Sequence, residues 1–363
     1  MPRLELEYVV VDAFASETFR GNPAAVVFLD EHSSAVLKDE QRKVLAQEFN
    51  QPVTAFITQF QTSVVSASVS GETTLGPFGI QWITPSGEEL RLCGHGTLAA
   101  SHALFDKFLP TDDAERGTVK LQTKHSGELV VRRDSDEGGR VQIRMTLPAG
   151  DLQPAPEDLE ARVKQAVGEA IPALPAAADG RSVVKAVRVG VGLTYGTYVL
   201  VEVDDSVDIA SMQVDSKALL QLAPFHNVSI TNAGGEQLKA SGVSFVSRVF
   251  IPLVGIDEDH VCGSAHCLLV PYWAGKLNAQ GKNLQVKQVS ARGGDLEVEW
   301  VEGGSLVKLS GPAVTVKKAQ RSCQSRRRSR RRLDIGLKTI AIAFPHCPLQ
   351  QETKSHESYS AYC

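Results

Sequence analysis

A chain of 363 residues exceeds the length at which a single hydrophobic core usually stops growing, so two lobes are expected. Hydrophobic residues at 42% and charged residues at 22% are ordinary globular values and exclude a wholly disordered, collagen-like or membrane-embedded chain. The net charge of -4 is unevenly spread: residues 318–363 carry ten Lys/Arg against three Asp/Glu, a balance of +7, which leaves -11 on residues 1–317 and makes that body a poor nucleic-acid surface.

The N-terminus runs directly into a strand at Tyr8-Val9-Val10-Val11 with no charged segment ahead of an apolar one, so no signal peptide is expected. No stretch approaches the roughly 18 apolar residues of a membrane span. Cys93, Cys262 and Cys267 in the body and Cys323, Cys347 and Cys363 in the tail are too dispersed for the disulfide framework of a small secreted domain. The expectation is a soluble, cytoplasmic protein with reduced thiols.

In chain order, Gly21-Asn22-Pro23 leads into a strand at Ala24 to Leu29, a helix from about Val36 to Phe49 and a strand at Thr54 to Thr58. Thr62 to Gly79, rich in Ser, Thr and Gly without a period, reads as a loop or mobile insertion. Trp82-Ile83-Thr84-Pro85 then precedes Cys93-Gly94-His95-Gly96, an apolar helical run over Leu98 to Phe105 and a hairpin with Gly127 near its tip. Prolines at 148, 154, 156, 172 and 175 bracket a connecting helix from Glu157 to Ile171.

The landmarks then recur in the same order. Gly196-Thr197 leads into a strand at Tyr198 to Val203, a short helix around Asp215 to Leu222, and a strand at Val228 to Thr231. Phe250-Ile251-Pro252 precedes Cys262-Gly263-Ser264-Ala265, an apolar run to Trp273 and a hairpin with Gly294 near its tip. Cys93 to Gly127 spans 34 residues and Cys262 to Gly294 spans 32, so the repeat holds to within one loop. Each half is expected to be a β-rich lobe around one buried helix, since a run apolar on nearly every side needs apolar contact all round. The division is 1–150 for the N-terminal lobe, 151–317 for the C-terminal lobe and 318–363 for a basic, disordered tail.

In both halves a strand enters a helix through Cys-Gly, which places two thiols at two helix starts. Unpaired backbone N–H groups and the positive end of the helix dipole attract an anion there. That field is also expected to lower a thiol pKa from ~8.5 into about 3.5–7.5. Gly94 and Gly263 allow close approach of a ligand to the backbone. If the halves pack with pseudo-two-fold symmetry, both starts meet in one cleft, where a carboxylate is held while groups on either side exchange a proton at the neighbouring carbon. The plainer reading is that a buried free cysteine simply packs, as Cys267, without a counterpart, is expected to do.

Val11-Asp12-Ala13-Phe14, Phe19-Arg20-Gly21-Asn22-Pro23, Leu92-Cys93-Gly94-His95-Gly96-Thr97 and Glu258-Asp259-His260-Val261-Cys262-Gly263-Ser264-Ala265-His266 resemble the PhzF-like family of phenazine-biosynthesis-related isomerases, over about residues 8–316. The resemblance implies an α+β, diaminopimelate-epimerase-like fold: two pseudo-symmetric lobes, each a barrel-like sheet around a central helix, with the site between them. It implies that Gly94 and Ser264 hold substrate and that His95 and Asp259 contact it or relay protons; Gly263, at the matching turn of the second half, is expected to bind substrate as well. The structural alternative has Asp259 capping a turn, His95 bonding locally and Ser264 capping a helix.

The chain departs from the family at one decisive place. The family's catalytic glutamate lies just after the helix that ends near Asn50, and this chain has Gln51-Pro52-Val53-Thr54 there, which puts Val53 at the base position. Glu48 is five residues too early to substitute, and His260 replaces the proline usual after the site aspartate. What stays intact is the pair of thiols, which resembles the arrangement of diaminopimelate epimerase and proline racemase.

The leading expectation is a cofactor-independent, metal-free isomerase of a small carboxylated carbon acid. Cys93 and Cys262 form the acid/base pair, with His95 and Asp259 assisting. The alternative is a catalytically impaired family member acting as a binding or scaffold protein. The expected partners are a small-molecule carboxylate and a second copy of the chain as a homodimer, with no membrane and no nucleic acid for the body. The arginine run at Arg326 to Arg332 stays open between RNA contact, nuclear targeting and disorder, with disorder favoured. Cys262, His266 and Cys267 match no zinc spacing.

Overall fold

The computed structural model describes residues 4–67, 73–109, 117–135, 140–172, 174, 182–301, 303–318 and 341–342. Two series of strands repeat one pairing pattern. In the first half, Glu7–Ala13 pairs antiparallel with Asn22–Leu29, which runs parallel to Val53–Ala67. Val53–Ala67 is antiparallel to Thr73–Ile83, and that strand is parallel to Gly117–Thr123. Glu128–Ser135 and Val141–Pro148 then follow antiparallel. The second half gives the same sequence of antiparallel and parallel pairings through Val184–Gly190, Tyr198–Val203, Asn227–Asn232, Val243–Ile251, Asn283–Gln288, Gly294–Trp300 and Leu306–Gly311. Val141–Pro148 and Leu306–Gly311 pair antiparallel and join the two.

Each half is completed by a strand that follows the other. Ala313–Lys318 pairs with Glu7–Ala13, and Leu152–Pro154 pairs with Val184–Gly190. The closing strand reaches through Lys317 and Lys318, opposite Val10 and Val9, so the family-like strand continues into the first basic residues. The Lys317 side chain fits at this place because a long stem can lie along apolar surface with its charge free; its Nζ sits 5.9 Å from the Tyr8 ring centre. The expected disorder further along the tail lies outside the described residues, except that Ala341–Ile342 pairs with Leu4–Glu5.

A helix is held inside each half. Gly94–Phe108 and Gly263–Lys276 each bury most of their residues, and Leu98, Leu104, Phe105, Leu268, Leu269 and Trp273 belong to one continuous core. A helix apolar on every side has no solvent face, so the sheet must wrap it. Pro271 lies inside the second helix and cannot donate to the Cys267 carbonyl. The Gly150 N–H takes that place at 3.0 Å, which ties the inter-half connection to the helix. By contrast, Glu157–Ala170 is one-sided: Leu159, Val163, Ala166, Val167 and Ala170 face a separate core against strands of the second half.

Two expectations change. The helix from Val36 to Phe49 is two helices, Glu31–Val36, capped by Asp30 on the Ser33 N–H, and Asp39–Phe49, ending on left-handed Asn50. Of the loop expected over Thr62 to Gly79, residues 62–67 and 73–79 are instead part of two long antiparallel strands, with Val64 to Ala67 opposite Thr73 to Gly76, while residues 68–72 lie outside the described residues. Threonine and valine suit an extended backbone, and cross-strand pairing supplies the order that composition does not show. No helix among the described residues is long and apolar enough to cross a membrane.

Candidate active site between paired helix starts

The two buried helices begin against each other. A Cβ placed on Gly94 would lie 3.1 Å from the Gly263 Cα, and one placed on Gly263 would lie 3.1 Å from the Gly94 Cα. A Cβ at either place is tighter than an ordinary contact and would push the facing backbone back by a few tenths of an ångström, so glycine at both places lets the helix starts converge. Cys93 and Cys262 precede the helices in extended conformation, and neither sulfur caps its own helix. The N–H groups of both first turns therefore face one region.

The side chains around it are buried. Cys93 Sγ lies 3.5 Å from His95 Nδ1, and among the described residues His95 Nε2 has no hydrogen-bond partner. Asp259 accepts from Asn22 Nδ2 at 2.6 Å, and the same Asn22 group donates to the Val261 carbonyl at 3.0 Å. Cys262 Sγ is 3.4 Å from Ser264 Oγ and 3.7 Å from Asn227 Nδ2. Tyr198 hydrogen-bonds Ser264 at 3.0 Å, and Ser229 donates to Asn227 Oδ1 at 2.9 Å, which turns the Asn227 amide nitrogen toward the sulfur. Gln288 accepts from the Cys262 N–H at 2.8 Å and donates to the Asp259 carbonyl, fixing the turn that carries both.

All seven residues expected at the site, Cys93, Gly94, His95, Asp259, Cys262, Gly263 and Ser264, thus gather around the two helix starts. Val53 is fully buried beside them, with its Cγ1 3.1 Å from where a Cβ on Gly96 would stand. Asn22, Tyr198, Asn227 and Gln288 are additions from the structure. One of them had a signal in the repeat: Ala24 pairs with Val53 and Tyr198 with Asn227 at the first rung of equivalent parallel pairs. Asn227 therefore stands in the second half where Val53 stands in the first.

The expected acidity of the thiols is overturned. Burial pushes Cys93 up to about 12, more than the backbone N–H groups of Gly96 and His95 pull it down, and the nearby Asp259 charge adds to the rise. Burial and Asp259 likewise raise Cys262 well above its ordinary value. The helix ends do act on both sulfurs, but removing a thiolate from water is the larger effect. Burial also raises Asp259, against the contacts from Cys262 and Asn22. It depresses His95 to about 3. The closed site consequently holds neutral thiols and a neutral imidazole.

Those histidines give a stability prediction. His266, whose Nδ1 donates to the Cys262 carbonyl at 2.7 Å, is depressed by burial to about 4. A histidine whose folded pKa lies below its unfolded value binds protons more readily when unfolded, so stability is complete above about pH 6.5 and is lost as pH falls toward 4 and 3. The raised Asp12 and Asp259 oppose this at the acid end. Urea midpoints measured from pH 7 to pH 4 should fall, and His266→Gln should flatten the slope; equal slopes would contradict the assignment.

Residues 11–319 match the phenazine biosynthesis-like family, PhzC-PhzF. The chain belongs to this family. An uncharacterised isomerase of Pseudomonas aeruginosa is 35% identical over 314 residues, 86% of this chain and 97% of that protein. A crystal structure of a PhzF-family protein from Enterococcus faecalis superposes with a TM-score of 0.64 at 30% identity, covering 87% of this chain and 98% of the other. A probable proline racemase of Agrobacterium radiobacter shares the fold, with a TM-score of 0.53 at 12% identity over 88% of this chain and 93% of its own. As a PhzF-like protein, the chain has the two-lobed α+β fold of the diaminopimelate epimerase and proline racemase type.

Proposed function

We propose that this PhzF-like protein is a cytoplasmic isomerase or epimerase that moves a proton on a small carboxylated carbon acid, using its own side chains. The contact between Gly94 and Gly263 carries the reading, because it makes two helix starts into one place for a carboxylate. The carbon next to that carboxylate then lies between the Cys93 and Cys262 sides. In the reactive state Asp259, whose charge acts on Cys262, takes the proton of the Cys262 thiol. The Cys262 thiolate removes the substrate proton from one face, and the Cys93 thiol delivers its own to the other. Substrate charge is unchanged, Cys93 is left as thiolate beside His95 and Asp259 as carboxylic acid; after release Asp259 gives its proton to solvent and Cys93 takes one up, which restores the starting state. Ser264 and Asn227 hold the Cys262 sulfur in place. The reading includes a homodimer and no further cofactor.

A second reading is favoured by Val53, an apolar side chain at the family's base position: a binding protein on the same fold. Incubation with a panel of amino and hydroxy acids in deuterated water separates the two. The isomerase should wash deuterium into the carbon next to the carboxylate, and Cys93→Ser and Cys262→Ser should each slow this by about 10²–10⁴-fold. No exchange on any acid, or exchange untouched in both variants, would contradict the proposal.

A further inference from the structure

One turn of the second half holds together both segments that meet at Asp259. On one side, Gln288 bonds the Asp259 carbonyl and the Cys262 N–H, and Ser290 Oγ donates to the His260 carbonyl at 2.8 Å. On the other, Arg292 crosses to the first half. Its Nε donates to the Gly21 carbonyl at 2.8 Å, and its Nη2 donates to the Arg20 carbonyl at 3.0 Å and to Asp12 Oδ1 at 2.7 Å. The Gly21 N–H returns a bond to the Gly293 carbonyl at 2.8 Å.

Residues 19–21 have little freedom to settle there unaided. Phe14 and Phe19 have φ of 59° and 68°, a region that strains a side chain with a Cβ. Gly21, at φ 64°, would press a Cβ to 2.1 Å from the Ala13 carbonyl oxygen. Phe19 is held by its N–H on Asp12 Oδ2 at 2.6 Å, while the residue as a whole is 72% exposed. The residue after Gly21 is Asn22, buried, whose amide orients the Asp259 carboxylate.

We propose that Arg292 is a positioning residue: by fastening residues 19–21 across the two halves it holds Asn22 against Asp259 and so sets the carboxylate toward Cys262. The proposal rests on the reading of Asp259 as part of a proton-transfer site. The guanidinium is required for its shape. Three acceptors are met by two nitrogens of one rigid plane, which the point charge of a lysine cannot reproduce.

Three variants test it: Arg292→Lys, Arg292→Met and Asn22→Ala. Hydrogen exchange of the intact protein should show faster opening of the Phe19 and Gly21 amides in both Arg292 variants and unchanged opening there in Asn22→Ala. With an acid that the wild type exchanges, kcat for deuterium wash-in should fall by about 10²-fold in all three, with KM nearly constant, as expected when a group is misplaced rather than a binding contact removed. Wild-type kcat in Arg292→Lys despite loosened amides would overturn the proposal. If the wild type exchanges no acid, the isomerase reading fails separately, and the Cys262 amide decides: faster opening in Arg292→Lys supports the positioning role, and unchanged opening overturns it.

Discussion

Gly263→Ala is expected to drive the two helix starts apart, with loss of proton exchange on the substrate and a stability decrease of about 1–3 kcal/mol, the range for overpacking a tight interior. The new methyl would meet the Gly94 Cα at 3.1 Å and the Gly94 carbonyl carbon at 3.8 Å. These are backbone atoms, so no rotamer change relieves the contact and the facing helix start must give by a few tenths of an ångström. Gly94→Ala should behave in the same way, because the contact is reciprocal. Gly275→Ala is the control on the same helix: nothing lies within 4 Å of its added Cβ, and alanine in a helix interior should stabilise by roughly 0.5–1 kcal/mol. Urea midpoints for the three variants check this. A Gly263→Ala protein as stable and as active as wild type would mean that the helix starts do not depend on their contact.

Val53→Glu is expected to destabilise the fold without accelerating exchange. Val53 has no exposed surface, and its neighbour Gly96 already faces Trp82 at 2.8 Å and Val53 at 3.1 Å from an added Cβ. A longer side chain must displace this packing, and a buried carboxyl with no compensating bond costs about 1–3 kcal/mol even when it stays protonated. In the proposed mechanism the proton moves between thiols, so the restored family carboxylate adds nothing to the rate. Measuring exchange and the urea midpoint together gives the answer: a gain of exchange over the wild type would favour a family enzyme that lost its base.

Much of the architecture is legible before any coordinates. Cys93-Gly94 and Cys262-Gly263 sit at equivalent points of two strand-to-helix turns, and runs apolar on every side, such as Leu98 to Phe105, announce a helix that must be wrapped. The strands at either side of residues 68–72 are illegible for the opposite reason. Their order comes from pairing with each other and, for Thr73–Ile83, with Gly117–Thr123, while their Ser, Thr and Gly content reads locally as loop. The polar supports divide in the same way. Asn22 and Asp259 are 237 residues apart and meet only through the joining of the two halves. Asn227 is recoverable once the repeat is set in register, since it is the partner of Val53. Thiol acidity is not legible in the sequence, because the helix start that favours a thiolate is written locally, whereas the burial that opposes it comes from the whole fold.

The most direct measurement is a crystal structure of the protein with bound carboxylate, using the amino or hydroxy acid that it exchanges fastest. The predicted result has the carboxylate on the backbone N–H groups of both helix starts and the adjacent carbon between the Cys93 and Cys262 sulfurs, one on each face. Both sulfurs on one side of that carbon, or a carboxylate bound away from Gly94 and Gly263, would contradict the two-thiol account.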